Sequence, residues 1–184
     1  MKPPLLTTPR LQLTWPTPAQ IGGYHQAILG TRIFDTLEWD GPTSDRDLHE
    51  YWEEARQSDW TDPRNDLVVA VIETSSGRCV GGMALITGDH CSADAGYALA
   101  PDVHGKGYAT EGLRALRDDG FANRGLQRIT AGIFVGNHAS RRVAEKCGFR
   151  LEGTRRRSVL KRGQWLDDWL FAITRPDWDE LRKT

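Results

Sequence analysis

Hydrophobic and polar positions alternate in some stretches of the chain and recur every third or fourth residue in others. Arg10 to Trp15 alternates, which predicts a strand. Thr17 and Pro18 then open a helix to about Gly30: threonine accepts a free helical N–H, and proline suits the first helical position. Ser44 caps a second predicted helix through about Arg56, with Leu48, Tyr51 and Trp52 on its apolar side. Asp66–Glu73 and Cys79–Thr87 read as a hairpin around Ser75-Ser76-Gly77. Ala93–Ala100 is a further strand, ended by Pro101-Asp102. Tyr108 to Asn123 reads as a helix, because Ala109, Leu113, Leu116 and Gly120 fall on one face. Gln127–Val135 is strand-like. Asn137–Lys146 is a short helix with Gly148 as its C-cap. Phe149–Val159 and Gln164–Thr174 close the chain as strands around Lys161-Arg162-Gly163, and a short helix starts at Pro176. Hairpins mixed with strand–helix–strand units predict an α+β mixed sheet of roughly seven strands and four to five helices.

Composition narrows this picture. The 184 residues, 39% hydrophobic and 27% charged, suit one domain over residues 1–184 with a packed core. The net charge of −1 argues against a nucleic-acid partner. A mean hydropathy of −0.53 and the lack of a long apolar run argue against a membrane span. Met1–Thr8 lacks an apolar signal core, so a cytoplasmic location is expected. Cys79, Cys91 and Cys147 form no Cys-x-x-Cys pair, and His90-Cys91 has no partners at metal-site spacing, so no metal is expected.

One loop carries chemistry. A strand, then His104-Gly105-Lys106-Gly107-Tyr108-Ala109-Thr110, then a helix is a recipe for anion binding. The helix start offers unpaired N–H groups and the positive end of its dipole, and glycine lets the backbone approach a phosphate. The P-loop order fails, because Lys106 stands between the glycines. The dinucleotide fingerprint fails at Thr110, which holds the third glycine's place. By itself the loop fits a diphosphate cradle or a plain turn.

The remaining motifs resemble the GNAT acetyltransferase superfamily, in its RimJ/RimL-type ribosomal-protein branch. Thr8-Pro9-Arg10-Leu11 resembles the opening strand of that family. Asp94-Ala95-Gly96-Tyr97-Ala98-Leu99 resembles its fourth strand, with aspartate where glutamate is usual. His104–Glu111 resembles its glycine loop, with histidine at a place usually held by another residue. Asn137-His138-Ala139-Ser140 through Glu145-Lys146-Cys147-Gly148-Phe149, and then Asp167, Phe171 and Trp178, follow in order. The resemblance implies a mostly antiparallel seven-stranded sheet, splayed between strands 4 and 5, and an N-acetyltransferase using acetyl-CoA.

It also implies roles. Gly105 to Ala109 would meet the pyrophosphate of the coenzyme through backbone N–H groups, within a contact set running from His104 to Thr110. Tyr97 and Leu99 would pair with the pantetheine arm, and the Tyr97 N–H would face the thioester oxygen. Ser140 would protonate the leaving thiolate, or else is only a helix-start residue. Asn137 caps its helix and would bond the pantetheine amides. Arg142, with Arg141 or Lys146, would meet the 3′-phosphate, or else forms a solvated basic face. Asp94, Glu111 and Asp167 are the candidate bases; Glu111 equally suits the helix dipole and Asp167 the closing hairpin. Phe34, Trp39, Tyr51, Trp52 and Trp60 would wall the acceptor site or serve as core. The acceptor would be a protein N-terminal α-amine or a small-molecule amine. Two other readings stand beside this one: a non-catalytic acyl-CoA-binding module, and a nucleotide-binding protein using the same loop. A homodimer is compatible with the sequence, which leaves oligomeric state open.

Overall fold

The computed structural model describes residues 5–60 and 62–183. Met1–Pro4, part of the segment read as lacking a signal core, lie outside the described residues. The strands are β1 (Leu6–Thr7), β2 (Leu11–Thr14), β3 (Leu67–Glu73), β4 (Cys79–Gly88), β5 (Ser92–Leu99), β6 (Arg128–Phe134), β7 (Arg150–Lys161) and β8 (Gln164–Thr174). The helices are α1 (Pro18–Ile28), α2 (Asp45–Gln57), α3 (Tyr108–Ala122), α4 (His138–Lys146) and α5 (Arg175–Leu181). The eight strands form one sheet in the order β1-β2-β3-β4-β5-β6-β8-β7. All neighbours are antiparallel except β5 and β6. The sheet is the expected mixed one with one strand added: β1, whose two residues are too short to carry a period.

Local chemistry explains the helix starts. The Thr17 hydroxyl accepts from Gln20 N–H while the Gln20 side chain accepts from Thr17 N–H, a reciprocal cap. The Ser44 hydroxyl accepts from Asp47 N–H, and Thr174 caps α5 with Asp177 in the same reciprocal way. The buried face of α3 presents Tyr108, Gly112, Leu113, Leu116, Gly120 and Phe121 to the sheet. Gly112 lets α3 sit close to β4: a Cβ would stand 2.6 Å from the Met83 sulfur, and the tip of that side chain would have to shift. The β7–β8 turn is tighter than the sequence implied. Arg162 (φ 47°) and Gly163 (φ 78°) make it alone, and Lys161 ends β7 as a buried residue paired with Gln164.

The feature that positions the site lies at the parallel pair. β5 and β6 pair only at Ser92–Arg128, Ala93–Ile129 and Asp94–Thr130. Beyond Asp94 the strands part, with β5 held by β4 and β6 by β8. These are the fourth and fifth strands of the seven expected, and the splay falls between them.

Candidate active site

The splay opens into a cavity of about 560 Å³. Its floor is Asp94–Ala98 of β5 and Ala131–Phe134 of β6, with Asn137 and Ser140 at one side. Thr36–Trp39, Tyr51 and Trp52 form the opposite wall, and Arg155 reaches in from β7.

Backbone direction along β5 follows from one bond. Ala100 N–H donates to Val80 O at 2.8 Å across to the β4 side. Facing alternates along an antiparallel ladder, so residues 98 and 96 also face β4, while 97 and 99 face the opening. The Tyr97 N–H is thereby left without a strand partner at the point where β6 departs. The Leu99 carbonyl is turned the same way and accepts from the His104 ring at 2.9 Å. A partner strand entering the splay therefore meets a free donor at Tyr97 and a carbonyl already engaged at Leu99.

The start of α4 is built from two side chains. Asn137 Oδ1 accepts from Ser140 N–H, and Asn137 Nδ2 donates to Ser140 Oγ, each at 3.1 Å. With its oxygen already accepting, the Ser140 hydroxyl keeps its own hydrogen for the cavity. The Tyr97 phenol donates to the Ser140 carbonyl at 3.3 Å, tying α4 to β5. Burial pushes the Tyr97 phenol up to about 12, and raises those of Tyr24 and Tyr51 as well. These tyrosines remain protonated donors at neutral pH and are not bases.

The glycine loop lies outside the cavity, at the other end of the splay. Gly105 (φ 78°) and Gly107 (φ 83°) are left-handed, a conformation that costs other residues strain. Gly107 is the N-cap of α3 and no side chain caps that helix start. A Cβ on Gly105 would meet nothing within 4 Å, so the loop presents bare backbone. Arg10 fixes it from behind: its guanidinium donates to Lys106 O at 2.9 Å and lies 4.7 Å from the Tyr108 ring centre. The Tyr108 hydroxyl donates to Glu73 at 2.6 Å. The Thr110 carbonyl accepts from the Cys147 thiol at 3.5 Å, which packs the first turn of α3 against the end of α4. This uncapped, glycine-lined helix start fits a diphosphate.

The anticipated residues thus fall into two groups. Asp94, Tyr97, Asn137 and Ser140 share the cavity. Leu99 and His104 to Thr110 form the loop and its stem, and Arg142 is exposed on α4 apart from the cavity. Arg141 is engaged elsewhere, with Glu145 at 2.8 Å and over the Trp169 ring at 5.3 Å.

Two candidate bases are spoken for. Glu111 accepts from the Thr8 hydroxyl at 2.6 Å and from Arg10 N–H at 2.9 Å, and pairs with the Arg10 guanidinium at 2.6 Å. Burial raises its carboxyl, but those bonds outweigh burial and hold it below the usual range. It anchors the start of the chain to α3. Asp167 accepts from Arg157 N–H at 2.8 Å and braces a bulge in β7. Asp94 is the cavity carboxylate among the three, and accepts a short hydrogen bond from the Thr130 hydroxyl.

Sequence reasoning passed over the neighbouring aspartate. Asp168 is buried at 1% exposure and forms a two-point ion pair with Arg155. Ser158 Oγ donates to it at 2.6 Å. Gly132 of β6 makes room, since a Cβ there would lie 2.8 Å from both Arg155 and Asp168. Glu38 and Asp94 also line the cavity, and both act on the Arg155 guanidinium through space. The only signal in the sequence was the glycine in β6.

The early aromatic residues divide. Phe34, Trp39, Tyr51 and Trp52 contact in series, with ring centres 5.3, 5.8 and 5.4 Å apart. Trp60 instead lines a separate groove with Leu5 and Leu6. Among the described residues no group of three or more His, Cys, Asp or Glu side chains is placed to hold a metal. None of the described helices is long and apolar enough to cross a membrane.

Comparison with known proteins agrees with this fold. Residues 10–150 match the family described as acetyltransferase (GNAT) domain. The Bacillus subtilis protein named Probable N-acetyltransferase YjcK is 38% identical over 110 residues, covering 58% of this chain and 61% of that protein. Escherichia coli ribosomal protein uS5-alanine N-acetyltransferase is 34% identical over 83 residues, 45% of this chain and 43% of that one. The matches span less than two thirds of either relative. The structure of Mycobacterium smegmatis RimJ in complex with CoA-disulfide shares the fold, with a TM-score of 0.79 at 24% identity over 91% of this chain and 83% of that chain.

Proposed function

Because the chain belongs to the GNAT acetyltransferase family, we propose that it is a RimJ/RimL-like N-acetyltransferase acting on a primary amine in a ternary complex with acetyl-CoA. The observation that carries this reading is the splay itself: one opening has a bare-backbone helix start at one end and Ser140 with an acid-lined cavity at the other.

Acetyl-CoA, when bound, supplies an activated acetyl group and a thiol leaving group. The N–H groups of Gly105 to Ala109 hold its diphosphate, and Asn137 lies beside its path. The Tyr97 N–H donates to the acyl oxygen as negative charge grows there. Ser140 Oγ, its lone pair engaged by Asn137, gives its proton to the departing sulfur and regains one from water in the cavity, so the proton the nitrogen loses balances the one the thiol gains. Asp94 draws the acceptor in as a cation and takes up the proton the amine must shed, directly or through water.

A protein N-terminal α-amine suits this arrangement. With a pKa near 8 about a tenth of it is neutral at pH 7, so one hydrogen-bonded, solvent-facing carboxylate is base enough. A lysine, under about a thousandth neutral, would need a stronger base than the cavity holds. The chain is proposed to work as one domain, since all eight strands of the described residues join one sheet, and a cytoplasmic location is proposed with it.

Thermal unfolding with added nucleotides tests the donor half. Acetyl-CoA at a hundred times its Kd should stabilise the protein by about 2.7 kcal/mol. A shift with ATP and none with acetyl-CoA would overturn the assignment.

A further inference from the structure

The wall of the cavity opposite Ser140 is not held by its own element. It is the irregular stretch between the 3-10 turn Ile33–Thr36 and α2. Trp39 projects from it between Phe34 and Tyr51, and is 45% exposed. Two cations from the far end of the β7–β8 hairpin fasten this stretch. Lys161 Nζ, buried at 6% exposure, donates to Trp39 O at 3.0 Å and Glu38 O at 3.4 Å, and pairs with Asp40 at 2.6 Å. Arg162 pairs with Asp40 and Asp35, each at 3.0 Å. The ammonium of Lys161 beside it holds the Asp40 carboxyl below its usual range.

Burying an ammonium is unfavourable unless it is fully partnered, and here backbone carbonyls supply two of three partners. Those carbonyls belong to the residues whose side chains line the cavity. The clamp therefore sets where Trp39 stands. From this we infer that Lys161 is a positioning residue for the acceptor side of the site, holding the Trp39 wall at the distance the incoming amine requires. The role rests on the transferase reading above, and it concerns the acceptor side, because the bonds of Lys161 run to residues 38–40.

Two measurements on the full chain test it. Hydrogen exchange of residues 34–40 should speed up in Lys161→Met while exchange in β5 and α4 stays as in the wild type. Steady-state kinetics should give an acceptor KM about tenfold higher, with kcat and the acetyl-CoA KM within about twofold of wild type. Asp40→Asn, which keeps both carbonyl bonds, should move the acceptor KM in the same direction by less. Unchanged exchange in Lys161→Met overturns the clamp. Equal changes in both KM values, or a fall in kcat alone, overturn its acceptor role. A wild type that acetylates no amine overturns the transferase reading instead, and the exchange result tells that failure from the clamp's own. If Lys161→Met does not fold, Asp40→Asn carries both measurements, and an unchanged acceptor KM there overturns the inference.

Discussion

Replacing Ser140 with alanine separates chemistry from binding. The substitution removes Oγ, which accepts one 3.1 Å bond from Asn137 Nδ2. The bond that caps α4, from Ser140 N–H to Asn137 Oδ1, is made by the backbone and survives. The Tyr97 bond to the Ser140 carbonyl survives as well. The structural cost is one partly exposed hydrogen bond, about 1 kcal/mol or less. The predicted catalytic cost is larger. A positioned proton donor is worth about 100- to 10,000-fold, which is roughly 3–5 kcal/mol of barrier. Steady-state thiol release should therefore fall by at least about a hundredfold, while calorimetric affinity for acetyl-CoA stays within about threefold. Asn137→Ala is the control, because it loses the cap and should cost about 1 kcal/mol of stability. Turnover in Ser140→Ala equal to wild type would remove the hydroxyl from the mechanism. A matching loss of acetyl-CoA affinity would make Ser140 a binding residue instead.

Other outcomes follow from the same geometry. Gly107→Val places a side chain at φ 83° on the uncapped helix start; losing about two backbone donors should weaken acetyl-CoA binding by about a hundredfold, at a stability cost of about 1–2 kcal/mol, and a normal affinity would put the diphosphate elsewhere. For Asp168, burial raises the carboxyl but Arg155 and Ser158 outweigh it and hold it below its ordinary value. Its stabilisation is thus present above the unfolded pKa of about 4 and is lost as pH falls through the lower folded value. Denaturant titrations should find Asp168→Asn about 1–2 kcal/mol less stable at pH 7, with the gap closing below about pH 4; a gap that widens in acid would contradict the pairing. Glu111→Gln should lower the melting temperature by loosening Thr8 and Arg10, yet leave the amine-dependent pH profile of turnover unchanged; loss of the acidic limb, the fall in turnover at low pH, would restore Glu111 as a base.

What could be read from the chain is what is local to it. The N-caps at Thr17, Ser44 and Asn137 and the left-handed glycines of the loop depend on neighbours within three or four residues, so sequence spacing exposes them. The apolar face of α3 follows from period alone. The strand pair that splays was legible through its flanking motifs, though β1, with two residues, was not. What the pattern leaves open depends on partners far apart in sequence. For Glu111 the pattern leaves a base and a helix-start acid equally open, because Thr8 and Arg10 lie about a hundred residues away. Asp167 reads equally as a candidate base and as a brace of the closing hairpin, while the pairing of Asp168 with Arg155 across β7 and β8 leaves no trace in the hydrophobic pattern. Lys161 read as a turn residue because its partners, Trp39 and Glu38, lie more than a hundred positions upstream.

The central claim is acetyl transfer from acetyl-CoA to an amine. Thiol release from acetyl-CoA, followed over a panel of peptides with free N-termini and of small amines, with the product identified by mass, tests it most directly. The account predicts release that depends on the amine, one acetyl group gained on the acceptor nitrogen, and loss of both in Ser140→Ala. Tight acetyl-CoA binding with no amine-dependent release from any member of the panel would contradict it, and would leave a protein that binds the coenzyme without performing chemistry.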